Sequence, residues 1–149
     1  MGREGLTFGA SEGAYPADNG TRLYFKPRWR GPVENGQKTQ TLRQWRPVTI
    51  KAFRQRASDG LLVRAGGQAT KHVWGYVTID SVEENVRLWE MTQQNLQREG
   101  APSHIATPRQ FVAMYLPKLL DNPNAVVTRL SFTYYGSTTS RITLIIFVS

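Results

Sequence analysis

The chain has 149 residues, 19 Lys and Arg against 11 Asp and Glu, a formal net charge of +8 and no cysteine. That length supports one hydrophobic core without metal or disulfide staples, and the lack of cysteine excludes disulfides, zinc fingers and thiol chemistry. Hydrophobic residues at 40% argue against wholesale disorder. No apolar run approaches the roughly 18 residues of a membrane span, and the start lacks the apolar segment of a signal peptide, so a protein that is neither membrane-embedded nor secreted is expected.

Residues 1–20 read as an arm rich in glycine and proline (Gly2, Gly5, Gly9, Gly13, Pro16, Gly20), with too few apolar groups to order itself without a partner surface. The remainder, 21–149, reads as a single β-rich domain. Asn19-Gly20-Thr21 has the form of a glycosylation sequon but is read as a turn. From Arg22 to Arg30 the residues alternate. Leu23, Phe25, Pro27 and Trp29 fall on one face, and Arg22, Tyr24, Lys26, Arg28 and Arg30 on the other, about 6.6 Å apart along an edge strand. A meander is expected from Thr41 to Tyr76: a strand around Trp45 to Phe53 ending at Asp59-Gly60, a second over Leu61 to Arg64, a turn at Gly66-Gly67, and a central strand over Val73 to Ile79.

Two helices should follow. Ser81-Val82-Glu83-Glu84 has the spacing of a capping box, with Val82, Val86, Trp89 and Leu96 on one helical face and Gly100 and Pro102 as the stop. Thr107-Pro108-Arg109-Gln110 repeats the device with proline at the first helical position, and Phe111, Met114 and Tyr115 form its apolar stripe. Strands over Val126 to Tyr135 and Arg141 to Val148 close the chain. This order favours a mainly β fold, an antiparallel sandwich or jelly-roll-like domain with a two-helix insertion. The alternative is an α+β fold with the helices on one face of a mixed sheet.

The charge is one-sided. Residues 1–75 hold thirteen basic against five acidic side chains, and residues 76–149 hold six of each. Between residues 22 and 56, Arg22, Lys26, Arg28, Arg30, Lys38, Arg43, Arg46, Lys51, Arg54 and Arg56 face Glu34 alone. Such a field suits a polyanion. These ten cations, with Tyr24 able to stack on an unpaired base, are the candidate nucleic-acid-binding residues, contacting phosphates without sequence preference.

Signatures of catalysis are missing. His72 and His104 lie 32 residues apart and make no metal pair, and Glu83 and Glu84 are explained as first-turn acids of a helix. Gly36-Gln37-Lys38-Thr39 lacks the glycine that a phosphate loop needs before its lysine, and Ser137 and Ser140 lack the context of a nucleophile elbow. No catalytic residue, metal or cofactor is expected, and the chain is not read as an enzyme. Trp29, Trp74, Trp89 and Tyr134 read as core, whereas Trp45 and Tyr135 could be exposed.

In size, basicity, helical insertion and strand-rich C-terminal end, the chain resembles the small single jelly-roll capsid proteins of simple viruses. That resemblance implies a structural subunit of a viral or phage-like assembly, a homo-oligomer or larger particle in the virion or host cytoplasm, its basic face toward packaged nucleic acid. The alternatives are a stand-alone RNA- or DNA-binding protein, ribosomal or regulatory, and a nucleic-acid enzyme with a dispersed site.

Overall fold

The computed structural model describes residues 17–136, with side chains from residue 21 onward. Most of the expected arm and the expected strand Arg141 to Val148 lie outside the described residues. Among the described residues five strands form one sheet in the order β1-β3-β4-β5-β2. They are β1 (Ala17–Phe25), β2 (Gln40–Arg43), β3 (Leu62–Gly67), β4 (Val73–Arg87) and β5 (Val126–Gly136). Among the described strands only β1 and β3 run parallel. The α-helices are α1 (Arg30–Glu34), α2 (Pro47–Asp59), α3 (Gln93–Arg98) and α4 (Pro108–Tyr115). The fold is therefore mixed α+β, and a jelly-roll sandwich is not formed by the described residues.

Three local differences from the sequence reading produce this outcome. The strand expected from Arg22 to Arg30 stops at Phe25, and Pro27 instead opens a 3-10 turn (Pro27–Trp29) that runs into α1. A proline at the start of such a turn gives up an amide that would have had no partner there. The strand expected around Trp45 to Phe53 is helix α2. The alternation of Val48, Ile50 and Ala52 is misleading, since Ile50 is buried while Val48 is 65% exposed. Ile50 and Phe53 supply the buried helical face, Pro47 stands at the N-terminus, and Gly60 (φ 66°) adopts the left-handed turn that ends the helix. The Leu61 amide donates to the Arg56 carbonyl at 3.1 Å, completing that cap. Asp59-Gly60 is thus a helix end and not a hairpin.

The third difference is β4. Ser81 to Glu84 has capping-box spacing, yet β4 continues through it to Arg87, paired with β5 from Tyr76↔Gly136 to Arg87↔Val126. The β-branched Val82 and Val86 and a full-length partner strand outweigh the local signal. The pairing carries three irregularities, between Tyr76 and Val77, Ile79 and Ser81, and Glu83 and Val86, with Asn85 at φ 57° in the last. The working capping boxes are at Thr92 with Asn95 and at Thr107 with Gln110.

Register explains how the sheet buries both faces. Leu23↔Ala65, Val63↔Val77, Ile79↔Phe132 and Val82↔Leu130 align on one side, where α1 and α2 add Val33 and Phe53. On the other side, Leu42 and Val127 meet Leu88, Leu96, Phe111 and Val112 of the α3–α4 region. The α+β alternative therefore fits, with α1 and α2 packed on one side of the sheet and the α3–α4 region against β2 and β5. The outer strands β1 and β2 also approach each other: the Arg43 guanidinium donates to the Tyr24 carbonyl at 2.6 Å. Arg43 thereby bridges the two outer described strands, and the gap between them is a seam.

Cap removal distinguishes true from false helix starts. Thr92→Ala and Thr107→Ala should each lower stability by about 1 kcal/mol in urea melts, and Ser81→Ala should change it by less than about 0.5 kcal/mol.

Candidate functional site

The seam between β1 and β2 holds a cleft of about 230 Å³. Its construction starts in the segment after α1. Gly36 (φ 81°) turns the chain, and the Lys38 amide donates to the Pro32 carbonyl while the Thr39 amide donates to the Arg98 carbonyl at the end of α3. These bonds set Lys38 beside Glu99, 61 residues away in sequence. The Lys38 ammonium donates to the Glu99 carbonyl at 2.9 Å and to Glu99 Oε1 at 3.3 Å, and it lies 4.4 Å from the centre of the Trp29 ring. The Gln40 amide donates to Glu99 Oε2 at 2.8 Å.

Both side chains of the Lys38–Glu99 pair are only 2% exposed. Burial pushes the lysine below its ordinary value and the carboxyl above its own, in each case against their mutual attraction. Gly100 (φ 84°) is required here twice over. It supplies the left-handed turn after α3, and a side chain at this position would come within 2.9 Å of the Lys38 Cβ. On the other flank, Arg43 donates to the Thr41 hydroxyl at 3.1 Å as well as to Tyr24, and it lies between the rings of Phe25 and Trp45. Desolvation lowers its pKa to about 10, opposed by Glu99, so it remains a cation at neutral pH.

Aromatic side chains wall the cleft. Trp29 and Tyr115 lie 5.0 Å apart between ring centres, Phe111 backs Tyr115 at 4.9 Å, and Phe25 lines the β1 side. The rim carries Tyr24, Lys26, Arg28 and Gln68. The cleft is thus a small aromatic slot with a buried ion pair in its lining and cations at its mouth.

The ten expected cations do not share one face. Lys26, Arg28, Lys38 and Arg43, with Tyr24, meet at the cleft, and Arg22 lies exposed farther back on β1. Arg30 is paired with Glu34 at 3.2 Å. Arg46, Lys51, Arg54 and Arg56 belong to α2 or its cap, with Arg54 held by Glu84 at 3.0 Å and Arg56 donating to the Ala52 carbonyl. Their dispersal follows from β1 ending at Phe25 and from α2 being a helix. Trp29 lines the cleft rather than the deep core, and Trp45 is half-buried on Phe53. The segment weighed as a phosphate loop reaches the cleft, but Lys38 is engaged by Glu99 and no helix follows it. His72 and His104 are exposed, and among the described residues no three His, Asp or Glu side chains gather as metal ligands. No helix among the described residues is long and apolar enough to cross a membrane.

Sequence reasoning missed Glu99, Gln40, Thr41, Gln68 and the slot-forming role of Trp29, Phe111 and Tyr115. The available signal was the capped helix α4, which carries Phe111 and Tyr115 on one stripe. Nothing local distinguishes Glu99 from the exposed acids around it.

No family model matches the chain, and no curated protein matches it. Among solved structures it is similar to the crystal structure of protein EF3133 from Enterococcus faecalis V583, a DUF984 protein. The identity is 15% and the TM-score 0.49, covering 78% of this chain and 76% of that one.

The buried pair should behave as a unit. Lys38→Met alone leaves a buried carboxylate uncompensated and should cost about 3–5 kcal/mol, while the double variant Lys38→Met, Glu99→Gln should cost clearly less than the two single changes added together in urea melts. Because the folded-state pKa of Glu99 is raised, wild-type stability should fall as pH rises from 4.5 through that raised value, where the unfolded chain alone has released the proton. Lys38 acts at the alkaline end: with its folded-state pKa lowered, its contribution is full above 10.5 and is lost as pH falls through the lowered value. Glu99→Gln should abolish the acid-side slope.

Proposed function

We propose that the protein binds single-stranded nucleic acid, seating one unstacked base in the cleft between β1 and β2. The observation that carries this reading is the combination in one small slot of aromatic walls, a buried carboxylate and a cationic rim. Aromatic rings offer stacking surfaces to any base, and cations at the mouth meet the phosphates that flank it. At about 230 Å³ the cleft is smaller than the roughly 300–1,000 Å³ of pockets that enclose drug-sized ligands, so it suits a single ring system. Glu99 accepts side-chain bonds from Lys38 and Gln40 and retains further lone pairs. An amino group on the base edge is the complementary donor, which favours adenine, cytosine or guanine over uracil or thymine.

A recessed slot of this kind cannot take a base that remains stacked in a duplex. The reading belongs to a stand-alone binder. The assembly subunit, the leading expectation from sequence, keeps its basicity but not its jelly-roll outline, which the described residues do not form, whereas a binder needs only the cleft.

Fluorescence anisotropy with labelled oligonucleotides tests the proposal. Single strands should bind more tightly than the matching duplex, with log K falling by about 0.7 per neutralised phosphate for each unit of log salt. Tyr115→Ala should weaken binding by about 1–3 kcal/mol. Equal affinity for single and double strands, together with no effect of Tyr115→Ala, would exclude the cleft as the site.

A further inference from the structure

Among the cations outside the buried pair, some face an acid and others, including Arg46, Lys51, Arg98, Arg109 and Lys118, do not among the described residues; two groups bear on the cleft's surroundings. Arg30, Arg54, Arg87 and Arg129 each face a carboxylate, Glu34, Glu84, Glu90 and Glu83 respectively. Arg22, Lys26, Arg28 and Lys71 have no acidic partner among the described residues, and all four are exposed.

These four lie in one row. Leu23 and Phe25 point into the core, so Arg22 and Tyr24 project from the opposite side of β1. Lys26 keeps an extended backbone (φ −68°, ψ 154°) and continues that alternation. Strand geometry then spaces Arg22, Tyr24 and Lys26 by about 6.6 Å per step. The place of a cation at Tyr24 is filled from the neighbouring turn, because Lys71 sets its ammonium 4.5 Å from the centre of the Tyr24 ring. Lys71 has a left-handed backbone (φ 60°), and the turn that carries it is tied to the end of β1 by the Gln68 amide donating to the Phe25 carbonyl at 2.9 Å. One side of Tyr24 is thereby occupied, which makes it a holder of Lys71 rather than the open stacking surface expected from sequence. Lys26 and Arg28 belong at once to this row and to the rim of the cleft.

We propose that a single nucleic-acid strand whose base enters the cleft continues along the outer side of β1, its successive phosphates meeting Arg28 and Lys26, then Lys71, then Arg22. The inference rests on the cleft reading and narrows it: the ligand is an oligonucleotide spanning about four nucleotides or more, not a free nucleotide. Charge complementarity selects the occupant. Four cations without an acidic partner, Arg22 on β1, Lys26 just after it, Arg28 in the following turn and Lys71 beside Tyr24, match a repeating anion.

The test uses the full chain and two probes, an adenosine or cytidine 5′-monophosphate and an eight-nucleotide single strand of mixed sequence, across a salt series. The double variant Arg22→Ala, Lys71→Ala changes only exposed side chains, and a thermal melt confirms that it is folded. For the oligonucleotide, its slope of log K against log salt should be shallower than wild type by about 0.7 for each phosphate left without its cation. Its affinity for the monophosphate should be unchanged, and Tyr115→Ala should weaken both probes. An unchanged slope in the double variant, with Tyr115→Ala still weakening both probes, would overturn the row while leaving the cleft reading in place. No effect of Tyr115→Ala on either probe would remove the cleft reading and the row with it. Equal affinity for an eight-residue poly-glutamate would assign the row to acidic proteins and overturn the proposal.

Discussion

The ion pair between Lys38 and Glu99 constrains the whole region around the seam. Two charges taken out of water cost several kcal/mol each unless every remaining hydrogen-bonding position is met. Here part of that cost is offset by the Glu99 carbonyl at the end of α3, the Gln40 amide on β2 and the Trp29 ring after β1, and the missing side chain of Gly100 lets Lys38 approach. Each of these would be an ordinary detail alone. Together they fix where β2 begins, where α3 stops and how deep the cleft can be.

That arrangement also explains why the formal charge is a poor guide to the surface. The basic excess of the first half divides into three environments: a buried lysine and a nearly buried arginine at the seam, cations of α2 partly engaged with β4, and an unneutralised row beside β1. The last, together with Arg46 and Lys51 at α2, has the character that a one-dimensional count assigns to all of them. Arg54 finds Glu84 and Arg129 finds Glu83 because β4 runs straight through the residues that carry the spacing of a helix start.

Legibility from sequence followed the range of the interactions involved. The capping box at Thr107 was readable because all of its parts, hydroxyl, proline and glutamine, lie within four residues. The same spacing at Ser81 misled, because a partner strand distant in sequence decides the conformation there. Helix α2 was hidden by an accidental alternation, although Pro47 and Gly60 marked its ends. Strands β3, β4 and β5 were visible as β-branched and aromatic runs, and β4 does lie inside the sheet as its two apolar faces required. Lys26, Arg28 and Arg43 were candidates by charge and do reach the cleft. Glu99 was invisible, since burial of an acid is a property of the three-dimensional neighbourhood and leaves no local pattern.

The pairing of β2 with β5 has a consequence for the order of assembly. Gln40 sits opposite Ser131, so this four-residue edge strand finds its partner only after nearly all of the intervening chain is in place. Loop closure over such a span is entropically expensive and returns few hydrogen bonds, whereas β3, β4 and β5 pair with close or strongly matched neighbours. Docking of β2, and with it the placing of Lys38 and Arg43, therefore belongs late in folding. Because β2 carries Gln40, Thr41 and Arg43, parting it from β5 would open the seam. Hydrogen exchange at the β2 amides would report on the cleft itself: access to its interior and loss of the edge strand are one motion.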